Sequence, residues 1–418
     1  MSKSVLLITR DFVPYAESLG GLIRMLSLAD FLYRNEYDVY VAASSGVNFG
    51  YFGYENEVGR YTIHYINDFL KYNKDRKSSS CKRPPCFRDL LIANIRAIVR
   101  KTIIPDKHVV LVRSYVNTAT EIIRKNGIRN VIVSSPPFSL QLVGTELKKR
   151  FGSQIMYLAD YRDSWNTTAI HRPNNPISYI LSMILERKVL TTCDHITFVS
   201  EPIKKKIEKK FGIDLSTKAT LVMNGFSRNV DVPALPPVNS ADNIIIGYFG
   251  SVSDSNTSFR NMTNLLRALR HPGFNNQKIE IRFFGKIELK RHDLSLFPRV
   301  RVMGSVSHSE ALQQMSQCDY LLIVHSESKG SDEVITGKFF EYVAARRPII
   351  CLGPADMEAN RIINEHRLGF SVEIRSIDAI VAALNSLKKP DLNVLINTDI
   401  SPFHRDKQYQ RILPMLVL

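Results

Sequence analysis

"SVLLIT", Ser4 to Thr9, is followed by "GLIRMLSLADFLYR", Gly21 to Arg34, and then by "DVYVAA", Asp38 to Ala43. The outer two are short runs of mostly apolar residues. The middle one returns an apolar residue at helical spacing. Strand, helix, strand, with little polar alternation inside the strands, is the unit of a parallel sheet covered on both faces.

The pattern repeats outward. "NVIVSS" (130–135), "QIMYLAD" (154–160) and "HITFVS" (195–200) read as further buried strands. Between and after them lie the helical stretches "PFSLQLVGTELKKR", "PISYILSMILERKVL" and "PIKKKIEKKF". The thirteen residues of "SYILSMILERKVL" read as a packing helix without a function of their own. After "LVMNGF" (221–226) the periodicity stops, and a stretch with three prolines reads as a linker over 229–243. The alternation then restarts with "IIIGYFG" (244–250) and runs through "IEIRFFG" (279–285), "YLLIV" (320–324), "PIICLG" (348–353) and "GFSV" (369–372).

With 418 residues, the chain is too long for one ordinary core. The expectation is an α/β protein of two Rossmann-like doubly wound domains, 1–228 and 244–395. A C-terminal helical stretch, 396–418, packs back on the first. Such domains face each other across a cleft, and ligands lie outside the carboxyl ends of the strands. No G-x-G-x-x-G follows the first strand and no G-x-x-x-x-G-K-[ST] occurs, so neither a dinucleotide-dependent dehydrogenase nor a P-loop ATPase is indicated.

Composition excludes other classes. Hydrophobic residues make up 44% and charged residues 23%, as in globular domains. "MSKSVLLITRDF" lacks a signal-peptide pattern, and no run nears the about 20 apolar residues of a membrane span, so a cytoplasmic protein is expected. Five cysteines are scattered, and the Cys81–Cys86 spacing fits no zinc site, which favours reduced thiols.

The net charge is +16, and residues 71–101 hold ten Lys or Arg against two Asp, a net +8. Within them "FRDLLIANIRAIVRK" is a basic amphipathic helical pattern. Two readings stand level: docking on an anionic membrane surface, or packing on its own domain with a solvated basic face. Nucleic acid is not expected as a partner, because no recognition motif accompanies the charge.

"SDEVITGKFFEYVAARRPII", Ser331 to Ile350, carries the chemistry. Glu333 precedes a helix and Glu341 lies in it, with seven residues between them. Thr336 is the expected N-cap, and Gly337 and Lys338 open the first turn. Free N–H groups, the positive dipole end and a lysine suit a diphosphate. A carboxylate on either side of it suits two polyols, a sugar and a ribose.

This stretch resembles the E-x7-E element of family 4 glycosyltransferases, which have the GT-B fold. "FVPYAESLGGLIRM" (12–25), "SSPP" (134–137), "DYRDSW" (160–165), "MNGF" (223–226) and "VRVMGSVSHSEALQQMSQCDYLLIV" (300–324) resemble the family's other elements in the same order. The R-D-x-W form is typical of bacterial enzymes that build surface polysaccharides.

The resemblance implies a retaining transferase, moving a sugar from a UDP- or GDP-sugar to a glycan or polyprenyl-diphosphate-linked acceptor. It makes 1–228 the acceptor domain and 244–395 the donor domain. It gives Glu333 a sugar hydroxyl, Glu341 the ribose, and Gly304 to Val306 the nucleobase. Gly20 and Gly21 close over the phosphate. Asp163 with Arg162 faces donor and acceptor, although Asp163 also reads as a capping residue and Arg162 as a structural partner of Asp160 or Asp163.

The chain departs from the family after "IIIGYFG". Gly250 and Ser251 are followed by no early basic pair, and the nearest base is Arg260. Lys286, Lys329 and Lys338 are the candidates for the second cation. No D-x-D occurs, so no metal and no cofactor are expected. The leaving phosphate would be stabilised by backbone N–H groups and cations, and would take the acceptor's proton on the same face. Two alternatives are kept: a nucleotide-sugar 2-epimerase of the same fold, and a catalytically silent membrane assembly partner.

Overall fold

The computed structural model describes residues 3–17, 19–46, 59–68, 70, 103–168, 171–173, 175–227, 243–255, 258, 260–327 and 330–417. Segment 71–101, with Cys81 and Cys86, lies outside them, as do Lys329 and all but Asn243 of the 229–243 linker. Contacts divide the chain into two units, Met1–Met223 with Tyr409–Leu418, and Asn224–Gln408.

The first unit is built on seven parallel strands: β1 (Lys3–Ile8), β2 (Tyr37–Ser44), β3 (Thr62–Ile66), β4 (Asn130–Ser135), β5 (Met156–Tyr161), β6 (His195–Phe198) and β7 (Ala219–Leu221). Their spatial order is β3-β2-β1-β4-β5-β6-β7. Crossovers include α1 (Leu19–Arg34), α2 (Val112–Asn126), α3 (Ser139–Phe151), α4 (Pro176–Thr192) and α5 (Glu201–Phe211). Leu6, Ile8, Val131 and Val133 enter one apolar layer, while Val5, Leu7, Ile132 and Leu158 enter the other. That alternation between two covered faces is why the strands read as continuous apolar runs.

The chain end is part of this unit. Tyr409 donates to the Arg24 carbonyl at 2.8 Å, and the Val417 N–H donates to Asn130 Oδ1 at 2.7 Å.

The second unit has a six-stranded parallel sheet of β8 (Ile244–Phe249), β10 (Ile279–Phe284), β12 (Val300–Gly304), β13 (Tyr320–Val324), β14 (Ile349–Gly353) and β15 (Gly369–Glu373). A two-stranded ribbon, β9 (Val252–Ser253) with β11 (Ile287–Glu288), lies beside it in the chain. The order β12-β10-β8-β13-β14-β15 is again doubly wound. Its helices include α6 (Thr263–Leu269), α7 (His308–Ser316), α8 (Gly337–Ala344), α9 (Glu358–Glu365) and α10 (Ile377–Ser386).

Strand order reverses between β8 and β13 in this unit, and between β1 and β4 in the first. These switch points, at the carboxyl ends, are where such sheets leave an open crevice.

Candidate functional site

Three strands of the second sheet run into a glycine with positive φ. Gly250 follows β8 with φ 134°, Gly285 follows β10 with φ 138°, and Gly304 closes β12 with φ 80°. The Gly250 N–H donates to Phe284 O at 2.7 Å, and the Gly285 N–H to Gly304 O at 2.7 Å. A side chain on Gly285 would collide with the backbone of Gly250. These positive φ values are available to glycine at low cost, and the missing side chains keep the strand ends open.

Cations converge over this floor. A Cβ on Gly250 would stand 3.1 Å from Lys338 Nζ and 3.9 Å from an Arg260 terminal nitrogen. Arg260 donates to Ser251 Oγ at 2.9 Å. Lys338 holds its ammonium 4.0 Å over the Tyr248 ring. Burial and the neighbouring Arg260 push the Lys338 ammonium down to about 7, against the opposing pull of Glu341. The local field therefore favours an incoming anion.

His325, immediately after β13, forms the other side of the switch point. It is 2% exposed, and its Nδ1 is buried without a hydrogen-bond partner. Burial, Lys338 and Arg260 push it down to about 4, so the imidazole is neutral near pH 7.

α8 begins where expected. Thr336 is its N-cap in extended conformation, but its side chain caps nothing and its Oγ1 is buried without a partner. Phe339 N–H is satisfied by the Thr336 carbonyl at 3.0 Å. The start of α8 thus lacks the side-chain cap that closes the start of α7, where Ser307 and Glu310 form a reciprocal capping box. Gly337 is exposed and has open space where a Cβ would be.

The two acids bracket this turn. Glu333 closes a 3-10 turn, Ser331–Glu333, and is 5% exposed. Glu341 lies one turn into α8, with Oε1 3.7 Å from His308 Nδ1. Burial raises the Glu341 pKa, while His308, Lys338 and Arg405 pull it back. The contact places the Val306 turn and the start of α7 beside Glu341. Lys286 follows Gly285 at the glycine floor, and its carbonyl accepts from the Val252 N–H at 2.9 Å. It is 75% exposed and ion-paired with Glu288 at 2.6 Å.

In the first unit, Gly20 and Gly21 lie in the first turn of α1. Gly20 is exposed with open space around it, and Gly21 faces the Arg162 guanidinium. Arg162 follows β5 and donates to the Ser135 carbonyl at 3.3 Å and to that of Pro136. Asp163 is exposed. His171 packs edge-on against Phe138 with centroids 5.3 Å apart. Burial lowers its pKa, and Asp163 opposes that shift, so the two sit within electrostatic reach.

Burial lowers the Arg162 pKa, and Asp163 and Asp160 both act against that through their charge, while the hydrogen bonds of Asp160 go elsewhere. Asp160 is buried and binds Arg24 through both oxygens, at 2.7 and 3.1 Å, with Ser134 and Thr197 donating to it at 2.8 Å each.

Of the residues singled out in the sequence, Gly250, Ser251, Arg260 and Lys338 come together, Glu341 lies within electrostatic reach of Lys338, and Glu333 stands in the turn before α8. Sequence reasoning missed His325, which stands directly after an apolar strand. The fold also brings His308 to Glu341, and His171 within electrostatic reach of Asp163.

No protein-family model matches the sequence, and no curated protein does. Solved structures match along the whole chain. A sucrose-phosphate synthase from Thermosynechococcus elongatus has 12% identity and TM-score 0.57, over 99% of this chain and 95% of that one. An Escherichia coli trehalose-6-phosphate protein bound with UDP-2-fluoro glucose has 11% identity and TM-score 0.59, over 99% and 96%. A Listeria monocytogenes protein assigned as a UDP-N-acetylglucosamine 2-epimerase has 10% identity and TM-score 0.54, over 99% and 95%. The chain thus has the GT-B fold, two Rossmann-like domains in series. Among the described residues, no helix is long and apolar enough to cross a membrane.

Proposed function

We propose that this protein is a retaining, metal-independent glycosyltransferase of the family 4 type. It would take a sugar from a UDP- or GDP-sugar to a glycan or polyprenyl-diphosphate-linked acceptor in bacterial surface-polysaccharide synthesis. The observation that carries the reading is the second unit's switch point. Lys338 and Arg260 meet over a glycine floor, at a helix start with no side-chain cap, between two glutamates.

In this reading the diphosphate lies at the Thr336–Lys338 turn. The α8 N–H groups, Lys338 and Arg260 stabilise the charge that develops on the leaving oxygen. Glu341 accepts from the ribose, with the base against Gly304 to Val306. Glu333 accepts from the sugar. Asp163 and Arg162 take the roles the family resemblance implies, and Lys286 is not needed for the diphosphate. The basic segment 71–101 is assigned to the inner face of the plasma membrane.

Thermal unfolding against UDP-, GDP-, ADP- and CMP-sugars tests the donor half. At about 100 times its dissociation constant, the true donor adds roughly 2.7 kcal/mol. The shift should appear with one nucleotide and vanish in Glu341→Ala. No shift with any of them would overturn the donor assignment.

A 2-epimerase is the second reading, since one protein of similar fold is so assigned. It predicts epimeric nucleotide sugar with no acceptor present, which NMR of the donor alone would reveal. Donor binding without any turnover would instead indicate a silent assembly partner.

A further inference from the structure

α4 is built inside out. Its inward face carries Ser178, Ser182 and Glu186, all buried. Ser182 Oγ accepts from Trp165 Nε1–H at 3.0 Å, and Glu186 Oε2 accepts from Asn166 Nδ2 at 2.8 Å. Its outward face carries Ile177, Ile180, Leu181 and Ile184, which are 70%, 58%, 46% and 58% exposed. Spacings of three, four and seven residues put these four on one stripe. The buried Val189 and Leu190 fix the helix's other end to the domain. A surface helix ordinarily turns such a stripe inward, and an aligned apolar patch marks a docking site.

The rim of the stripe is cationic. Lys188 is exposed and extends the line one turn beyond Ile184. Lys210 lies 5.0 Å over the Tyr179 ring, and Arg172 lies 5.7 Å from it. Arg187 donates to the Phe211 carbonyl at 2.7 Å, so the exposed Lys209 and Lys210 at the end of α5 border the same helix. The only acid in α4 is Glu186, and it is buried.

We infer that the outer face of α4 docks on an anionic lipid surface. The four aliphatic side chains enter the boundary between headgroups and acyl chains, and the Lys and Arg rim meets the lipid phosphates. Charge selects this occupant over two others. A second copy of the chain would bring two cationic rims together, and segment 71–101, at +8, has the same sign. This surface stands on α4 alone and goes beyond both the glycosyltransferase reading and the basic segment.

The test uses the full chain with vesicles of phosphatidylcholine, with and without phosphatidylglycerol. The wild type should sediment with the anionic vesicles only, and salt should weaken that binding. Ile180→Asp with Ile184→Asp should reduce it about tenfold or more, with unfolding temperature and nucleotide-sugar response unchanged. In a separate variant, Ile184→Trp emission should shift to the blue on anionic vesicles, against the constant background of buried Trp165. Unchanged sedimentation of the double variant would overturn the inference and leave binding to segment 71–101. An unshifted Ile184→Trp spectrum, or a wild type that ignores anionic vesicles, would overturn it too. So would a dimer that the double variant dissociates while vesicle binding stays the same.

Discussion

The Arg162 guanidinium occupies the place where a side chain on Gly21 would begin. The two positions are 141 residues apart in sequence and meet at the carboxyl ends of β1 and β5. Gly21→Ala therefore displaces the tip of a flexible side chain rather than backbone. Stability should change by about 1 kcal/mol or less, because alanine also favours the helix. Turnover should fall at least about tenfold if Arg162 serves catalysis, equivalent to 1.4 kcal/mol of barrier. Gly20→Ala meets nothing within 4 Å and should leave both unchanged. Paired melting curves and transfer rates decide it.

Lys338 predicts how donor binding depends on pH. Its free pKa is lowered to about 7 by burial and Arg260, and a bound diphosphate would raise it. Below pH 7 the ammonium is already charged, so affinity is flat. Above pH 7 binding must first take up a proton, and the dissociation constant should rise, up to about tenfold per unit. His325 is uncharged over the same range and contributes no slope there. Lys338→Met should bind weakly with a flat profile between pH 7 and 9. Calorimetry at several pH values measures both, and an equally steep slope in Lys338→Met would sink the assignment.

The central strands were legible because they are buried on both faces. "NVIVSS" and "YLLIV" are β4 and β13 to the residue. The edges were not. β3 and β7 are largely unburied and short, and α2 hides its apolar positions among polar ones. Composition made α4 a packing helix. It does pack, but through its serines and Glu186, because Trp165 and Asn166 supply hydrogen-bond partners on that side. The glutamates fall on the elements their spacing implied, Glu333 in the 3-10 turn before α8 and Glu341 inside it. His325 did not stand out, because its partners Lys338 and Arg260 come from distant segments.

Asp160 and Asp163 sit three residues apart and should behave oppositely. Arg24→Ala leaves Asp160 as a buried charge without its counter-ion and should cost about 3–5 kcal/mol. Burial alone would push the Asp160 pKa up, but Arg24, Ser134 and Thr197 outweigh it and lower it. The pair's stabilisation is therefore present above the unfolded carboxylate range near pH 4 and is lost as pH falls. Burial raises the Asp163 pKa against the pull of His171, Arg162 and Arg24, so Asp163→Asn should cost no stability near pH 7 while lowering turnover. Urea unfolding and transfer assays separate the two.

Glu186 gives the opposite pH signature. It is fully buried, and burial raises its pKa to about 8 against the hydrogen bond from Asn166. Its Oε1 and Asn166 Oδ1 both lack partners, which is what a carboxyl holding its proton at Oε1 would relieve. The folded state thus keeps a proton that the unfolded chain releases near pH 4. The contribution of Glu186 to stability is greatest below that pH and declines as pH rises to 8, on the order of 1 kcal/mol for each unit of pKa difference. Glu186→Gln removes the titration and supplies a permanent N–H donor at the same place. The variant should therefore match the wild type in acid and exceed it progressively toward pH 8. Urea midpoints at pH 5, 6.5 and 8 test this, and parallel curves for the two proteins would show that Glu186 is ionised when folded.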